Sequence, residues 1–434
     1  MSPDARTASA AGDVTDASLS KLARGLIGSE VLRIAAEVRA LVASGTPVCN
    51  LTVGDFDPRE FPLPKALLEG IPRALAAGHS NYPPSNGVLE LRQSVARFFK
   101  RELGLDYPIE SVVIAGGARP LIYASYLALL DRGDAVAFPV PSWNNNHYAY
   151  LAGARPLPLE VTREHAFHPT PEQVASVIGD VQLISLSTPL NPTGTTMDPE
   201  VLRAISKIVV DENARRSARG ERLVFLLFDQ VYWLLAFENG RATAPPVLLP
   251  EVMPYTVLID AASKSFAATG LRVGWALAAP AVAARLSDLL GHIGAWAPKA
   301  EQIAIAQFLD DAPACAAFRA EMHERLRARL SALHRGLSQL QKRGFPIESV
   351  EPEGTLYLSM RLDLFGRTVA GREIRTNEDL RRLLLEEAGL AVVPFQAFAL
   401  RRENGWMRLS VGAVSVEAIE AGMKRLASLL EGVV

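Results

Sequence analysis

Four stretches of this chain are predominantly apolar, and each runs into residues that a hydrophobic core would not choose. Ala135–Pro141 leads to Ser142 and Trp143, and Val181–Ser187 leads to Thr188 and Asn191. Leu223–Phe228 ends at Asp229 with Tyr232 beyond, and the run from Val257 ends at Lys264. Apolar runs without polar alternation are strands covered on both faces, which calls for a parallel sheet between helical layers. Ligands of such open sheets bind beyond the carboxyl ends of the strands. The fold class expected is therefore α/β, with Trp143, Asn191, Asp229, Tyr232 and Lys264 converging on one crevice.

Lys264 constrains the chemistry most. Burial disfavours the ammonium form, and a neutral amine forms Schiff bases with aldehydes. Arg272 stands eight residues on, in a glycine-punctuated segment, and a guanidinium holds phosphate bidentately. Gly116-Gly117-Ala118 joins a predicted strand, Ser111–Ala115, to a helix running to Leu130. Backbone N–H groups at such a turn cradle anions. Taken singly, each segment also reads blandly: a strand-end lysine with its head in water, a plain βα turn, a core tryptophan, an aspartate capping a helix.

Their order does not. Asn191-Pro-Thr-Gly194, then Asp229-x-x-Tyr232, then Ser263-Lys264-x-Phe-x-x-x-Gly270-x-Arg272-x-Gly274 resembles the fold-type I pyridoxal-phosphate aminotransferases of classes I and II. The likeness runs from about Gly54 to Arg408. It implies an aspartate-aminotransferase-like architecture: a large domain with a mostly parallel sheet flanked by helices, plus a smaller α+β domain. The divisions it implies are a flexible arm over 1–20, a small domain over 21–65 and 316–434, and a cofactor-binding domain over 66–315.

The resemblance implies pyridoxal 5'-phosphate as cofactor, bound by Lys264 and, at its phosphate, by Gly117, Ala118, Arg272 and Ser263. Asp229 would hold the pyridine nitrogen protonated, so that the ring accepts electrons. Asn191 and Tyr232 would meet the ring hydroxyl, and Trp143 would stack on the ring. Arg408 would fork onto the substrate α-carboxylate, with Gly54 and Asn191 beside the substrate. Tyr82 resembles a residue that reaches the phosphate across a homodimer interface, so that active sites are shared; an ordinary loop tyrosine is the other reading. Lys264, Asp229 and Tyr232 carry the catalytic expectation.

This chain also departs from the pattern. Arg119 and Pro120 stand where relatives often have glutamine or glycine and then alanine, which leaves three roles open for Arg119: phosphate, a substrate acid, or solvent. Ala261 replaces a frequent serine, for which Ser263 could compensate. Asn146, with His147 beside it, occupies the place of a histidine. The segment Gly291–Lys299 offers His292, Trp296 and Lys299 but no arginine to read a second carboxylate. The expected substrates are thus an L-amino acid, leaning neutral or aromatic, and a 2-oxo acid in ping-pong exchange. A C–S lyase or other eliminating enzyme on the same fold is the alternative, and a catalytically silent sensor domain a more distant one.

The remaining features mostly exclude. At 434 residues the chain exceeds one ordinary core, so two lobes are expected. A net charge of −2 gives no basis for a nucleic-acid or anionic-membrane partner, and apolar runs break well before membrane-span length. Two distant cysteines, Cys49 and Cys315, read as packing residues in a reducing compartment; with no secretory pattern among the first residues, the cytoplasm is expected. No metal site is expected: His165 and His168 read as a solvent-exposed pair. Helices are predicted over Leu22–Ser44, Lys65–Ala77 with a kink at Pro72, Leu89–Leu103, Pro313–Lys342 and Asn377–Ala388. The charges Arg325, Arg327, Arg329, His334 and Arg335 are read as a solvated helix face.

Overall fold

The computed structural model describes residues 16–45, 47–238, 240 and 243–432. Of the expected arm, residues 1–15 lie outside the described residues, and Asp16–Ser18 forms a single 3-10 turn. The apolar runs become strands of one seven-stranded sheet: β1 (Val112–Ala115), β2 (Ala135–Val140), β3 (Arg155–Glu160), β4 (Val181–Ser187), β5 (Phe225–Asp229), β6 (Thr256–Ala261) and β7 (Gly274–Leu277). Their order is β1-β7-β6-β5-β4-β2-β3. Only β7 runs against its neighbours; the other pairings are parallel.

Both faces of this sheet are covered over its central strands, which is why those carry no polar alternation; the edge strand β3 is mostly exposed. Leu226 and Phe228 of β5 pack with Leu202, Ile205 and Val209 of the helix Pro199–Ala218. Leu227, between them, faces the opposite way, towards Leu121 of the helix Ala118–Leu129 and Leu286 of the helix Pro280–Ile293.

A second, four-stranded antiparallel sheet orders Val393–Pro394, Trp406–Ser410, Tyr357–Leu362 and Ile347–Ser349. Cys49–Asn50 pairs in parallel with Leu390–Ala391, joining the beginning of the described chain to this later region. The helix Ala312–Lys342 is 31 residues long. Among the described residues no helix is long and apolar enough to cross a membrane.

Three local expectations need correction. The helix expected over Leu22–Ser44 is two: Lys21–Arg24 and, as α1, Glu30–Ala43. Gly25 and Gly28 lie in the break, and the Tyr150 hydroxyl takes the Leu22 carbonyl at 2.9 Å, the acceptor a continuing helix would need. Arg329 does not lie on a solvated face; it is 7% exposed, with its Nε donating to the Val414 carbonyl at 2.8 Å and its guanidinium paired with Glu60. His165 and His168 are not an exposed pair either. His168 is buried, because Ala166 and Phe167 take left-handed conformations (φ 50° and 58°) that turn the chain inward between them. Pro72 sits within the unbroken helix Lys65–Ala76.

Candidate active site

Parallel register aligns the strand ends. Ser187 pairs with Asp229 and Asp229 with Ile259, so the segments leaving β4, β5 and β6 start at one level. They open onto a cavity of about 600 Å³. Lys264, in the one-turn helix Ala262–Ser265 after β6, points into it. Asp229, Tyr232, Asn191, Trp143, Ala118, Arg119, Ser263, Arg272, Gly54 and Arg408 line the same space.

The Lys264 Nζ donates to the Gly54 carbonyl at 2.5 Å. Burial pushes its amine down to about 8, opposed by the Asp55 carboxylate and reinforced by the charges of Arg408, Arg119 and Arg272. About a tenth is therefore the neutral, nucleophilic amine at pH 7, far more than for an exposed lysine. Gly54 is required where it stands: a Cβ there would lie 2.8 Å from the Tyr357 hydroxyl and 3.6 Å from an Arg408 nitrogen.

Beside the lysine lies an anion cradle. Gly116 and Gly117 precede the 12-residue helix Ala118–Leu129, whose N-terminus faces the cavity at Ala118. Gly117 has φ 96°, and a Cβ on it would fall 2.3 Å from the Arg272 guanidinium; only glycine lets that arginine approach. Arg272 is itself fixed by donating to the Thr269 carbonyl at 2.7 Å and the Gly116 carbonyl at 3.0 Å. Helix N-terminus, guanidinium and the Ser263 side chain form a donor set that fits a phosphate group.

Asp229 is pushed up to about 6 by burial, held back only by the Val231 N–H that it accepts at 3.2 Å. A buried carboxylate with one backbone donor fits a cationic nitrogen facing it. The Tyr232 and Tyr357 hydroxyls meet at 2.9 Å; burial drives Tyr232 well above the usual phenol range, so it stays a protonated donor.

Arg408 is 1% exposed. Its guanidinium donates to the Asn191 side-chain oxygen at 3.2 Å and the Thr52 carbonyl at 2.6 Å, while its Nε has no partner. It lies over the Tyr357 and Phe398 rings at 4.7 and 5.0 Å. The position comes from the smaller sheet, where Arg408 pairs with Ser359 on one side and Val393 on the other. A buried cation with no carboxylate partner among the described residues is costly unless a ligand supplies the anion.

Two expected residues lie elsewhere. Gly117 is behind the cavity wall, acting through the room it leaves for Arg272. Tyr82 is 80% exposed, outside its own chain's cavity, with its ring edge-on to Trp296 at 5.1 Å. Several lining residues carried no signal in the sequence. Asn145, and neither Asn146 nor His147, reaches the cavity; its side-chain oxygen accepts from Tyr126 and Ser185, both at 2.9 Å. Asp55, next to Gly54, accepts from Thr269 at 2.6 Å. Tyr357 and the α1 residues Val31, Leu32, Ala35 and Arg39 also line it; of these unsignalled residues only Asp55 could have been flagged, by adjacency to Gly54.

Known proteins match this chain over nearly its whole length. The family model for aminotransferases of class I and II covers residues 46–426. An aspartate aminotransferase of Geobacillus stearothermophilus is 30% identical over 421 residues, spanning 95% of this chain and 99% of that protein. A probable aspartate/prephenate aminotransferase of Thermus aquaticus is 31% identical over 415 residues, spanning 95% and 99%. The structure of the Thermus thermophilus aspartate aminotransferase with maleate superposes with a TM-score of 0.83 at 28% identity, covering 95% of this chain and 99% of that one.

Proposed function

We propose, from the premise that this chain belongs to the class I and II aminotransferases and is a pyridoxal-phosphate-dependent transaminase, a division of labour within its cavity. One observation carries it: the nucleophilic Lys264 shares the space with a buried, acid-free Arg408. An amine with a lowered pKa and an unmatched guanidinium suit an aldehyde cofactor and a carboxylate-bearing substrate.

The cofactor, when bound, supplies the aldehyde that takes up the amino group and the ring that accepts the electrons of the substrate Cα–H bond. Lys264 would hold it covalently, and Ala118, Ser263 and Arg272 would hold its phosphate, with Gly117 leaving the room that Arg272 needs. Asp229 would keep the ring nitrogen protonated, Asn191 and Tyr232 would donate to the ring oxygen, and Trp143 would pack against the ring. Arg408 clamps the α-carboxylate. Asn191 and the Thr52 carbonyl hold that guanidinium in place, so the Cα–H bond is oriented before reaction, with Gly54 leaving room beside it. Released by the incoming amino group, the Lys264 Nζ is a free amine, the base that would take the Cα proton and the acid that would give it back.

The apolar wall from Val31, Leu32 and Ala35, with the aromatic Trp143 and Tyr357, suits a neutral or aromatic amino donor. The relatives named for aspartate favour a dicarboxylic partner in the other half of the exchange. Two copies form the working enzyme, each lending Tyr82 to the other's site. Free, buried Cys49 and Cys315 suit the reducing cytoplasm.

The test is a half-reaction. The purified protein should be yellow, and borohydride should bleach it while fixing the cofactor to the peptide containing Lys264. A neutral or aromatic amino acid should convert the cofactor to its amine form, and 2-oxoglutarate should restore it. Ammonia and pyruvate released without that amine form would replace transamination with elimination.

A further inference from the structure

We infer that Arg119 reads the distal carboxylate of a dicarboxylic substrate in this cavity, an assignment that rests on the transaminase reading above. Of Arg119, His292 and Lys299, the cations the sequence offers for this role, only Arg119 lines the cavity, where Arg39 of α1 joins it. His292 is exposed near the end of the helix Pro280–Ile293, and the Lys299 ammonium donates to the Asn81 side chain at 2.7 Å.

Arg119 sits in the first turn of the helix Ala118–Leu129, and its guanidinium carbon lies 5.0 Å from the centre of the Trp143 ring. It has no hydrogen-bond or carboxylate partner among the described residues. Stacking on an aromatic face leaves the planar fork of a guanidinium free at its edges, where it binds a carboxylate bidentately. The stack fixes the side chain beforehand, so little conformational freedom is lost on binding.

Its charge is felt at the reaction centre, adding to the burial that lowers the Lys264 amine and opposing the burial that raises the Tyr357 phenol. Arg39 of α1 adds positive charge to the same lining. The α-carboxylate clamp comes from the smaller sheet and Arg119 from a helix that covers the larger one, so a substrate with two carboxylates is gripped from both parts of the molecule.

Arg119 is also exposed at the mouth, and this decides how the site treats a neutral partner. A buried arginine facing a neutral side chain would be left without an anion at high cost; an exposed one stacked on Trp143 stays hydrated. One cavity thereby accepts a neutral or aromatic donor and a dicarboxylic acceptor in alternate half-reactions. Arg119 is the specificity-determining residue for the second.

The probes are succinate and butyrate, unreactive acids of equal chain length with two carboxylates and one. Calorimetry on the cofactor-loaded protein should find succinate roughly 10- to 100-fold tighter, the range for a hydrogen bond to a charged group. Arg119→Gln should bring succinate to the level of butyrate and leave butyrate unchanged, and Arg119→Lys should recover part of the difference. Equal weakening of both acids would make Arg119 only a prop for Trp143, and no change would pass the role to another cation; either result overturns the assignment. So would loss of cofactor from Arg119→Gln, which would give the guanidinium to the phosphate. Failure of the wild-type protein to take an amino group from a neutral amino acid strikes the transaminase reading instead, and the two acids still decide Arg119.

Discussion

Lys264 is where a local environment becomes a measurable property. Its amine is pushed down to about 8, with burial the largest cause, whereas an exposed lysine titrates near 10.4. The neutral form attacks the aldehyde, and a depressed pKa makes that form available at lower pH. The rate at which cofactor-free protein takes up pyridoxal phosphate should therefore rise with pH through about 8 and level off above it. Stopped-flow absorbance across pH 6 to 10 checks this; a rate still climbing at pH 10 would mean the lysine is solvated. Asp229 shifts the opposite way for the same reason, since burial penalises either charge. Its raised value, about 6, is the cost of a carboxylate waiting for a cation. Residues of this kind were legible in the sequence because parallel register aligns strand ends, so any polar residue just past an apolar run lands in the crevice. Tyr357 was not legible. It reaches Tyr232 only because antiparallel pairing sets it opposite Ser410, two residues beyond Arg408, and no local pattern announces that partnership.

At the scale of elements, the cradle depends on β7 pressing against the turn before the helix Ala118–Leu129. Gly274 opens β7, and a Cβ there would lie 2.6 Å from the Gly117 carbonyl carbon and 2.8 Å from the Ala118 nitrogen. Both atoms are backbone, so the turn itself must move. Gly274→Ala should cost about 1–3 kcal/mol of stability, as overpacked sites do. It should also weaken cofactor binding, because the displaced N–H groups are those assigned to the phosphate. Thermal unfolding of the cofactor-free protein and a fluorescence titration with pyridoxal phosphate separate the two effects. Lost stability with unchanged cofactor affinity would move the phosphate off this turn. Elements governed by their own periodicity, such as the helix Leu89–Leu103, were readable at their ends. The failures came where a distant group intervened. Tyr150 takes a carbonyl from the N-terminal helix, Arg329 is drawn inward by Glu60 and Val414, and the left-handed Ala166 and Phe167 bury a histidine that simple spacing placed outside.

For the whole molecule, Tyr82 is the residue whose placement asks for a second copy. It is 80% exposed, its ring held edge-on by Trp296, and absent from its own chain's cavity. A large exposed aromatic with a phenol at its tip is well suited to an interface, where the ring is covered and the hydroxyl finds a partner. If each copy lends Tyr82 to the other's phosphate, the defects of two different mutants should sort unequally in a hybrid. A Lys264→Ala homodimer has no covalent anchor. A Tyr82→Phe homodimer should hold the cofactor roughly 10- to 100-fold more weakly, the scale of a lost hydrogen bond to a charged group. In a hybrid of the two, one site combines both defects and is dead. The other pairs an intact Lys264 with an intact Tyr82 from the neighbour. That surviving site should bind cofactor with wild-type affinity, and the hybrid should show half the wild-type turnover at limiting cofactor. If Tyr82 served its own chain, the only site with a lysine would carry phenylalanine, and the hybrid would keep the weak affinity of the Tyr82→Phe homodimer. Separating hybrids by two different affinity tags and titrating pyridoxal phosphate distinguishes these cases, because the location of the phenol changes which site is whole while the composition of the dimer stays the same.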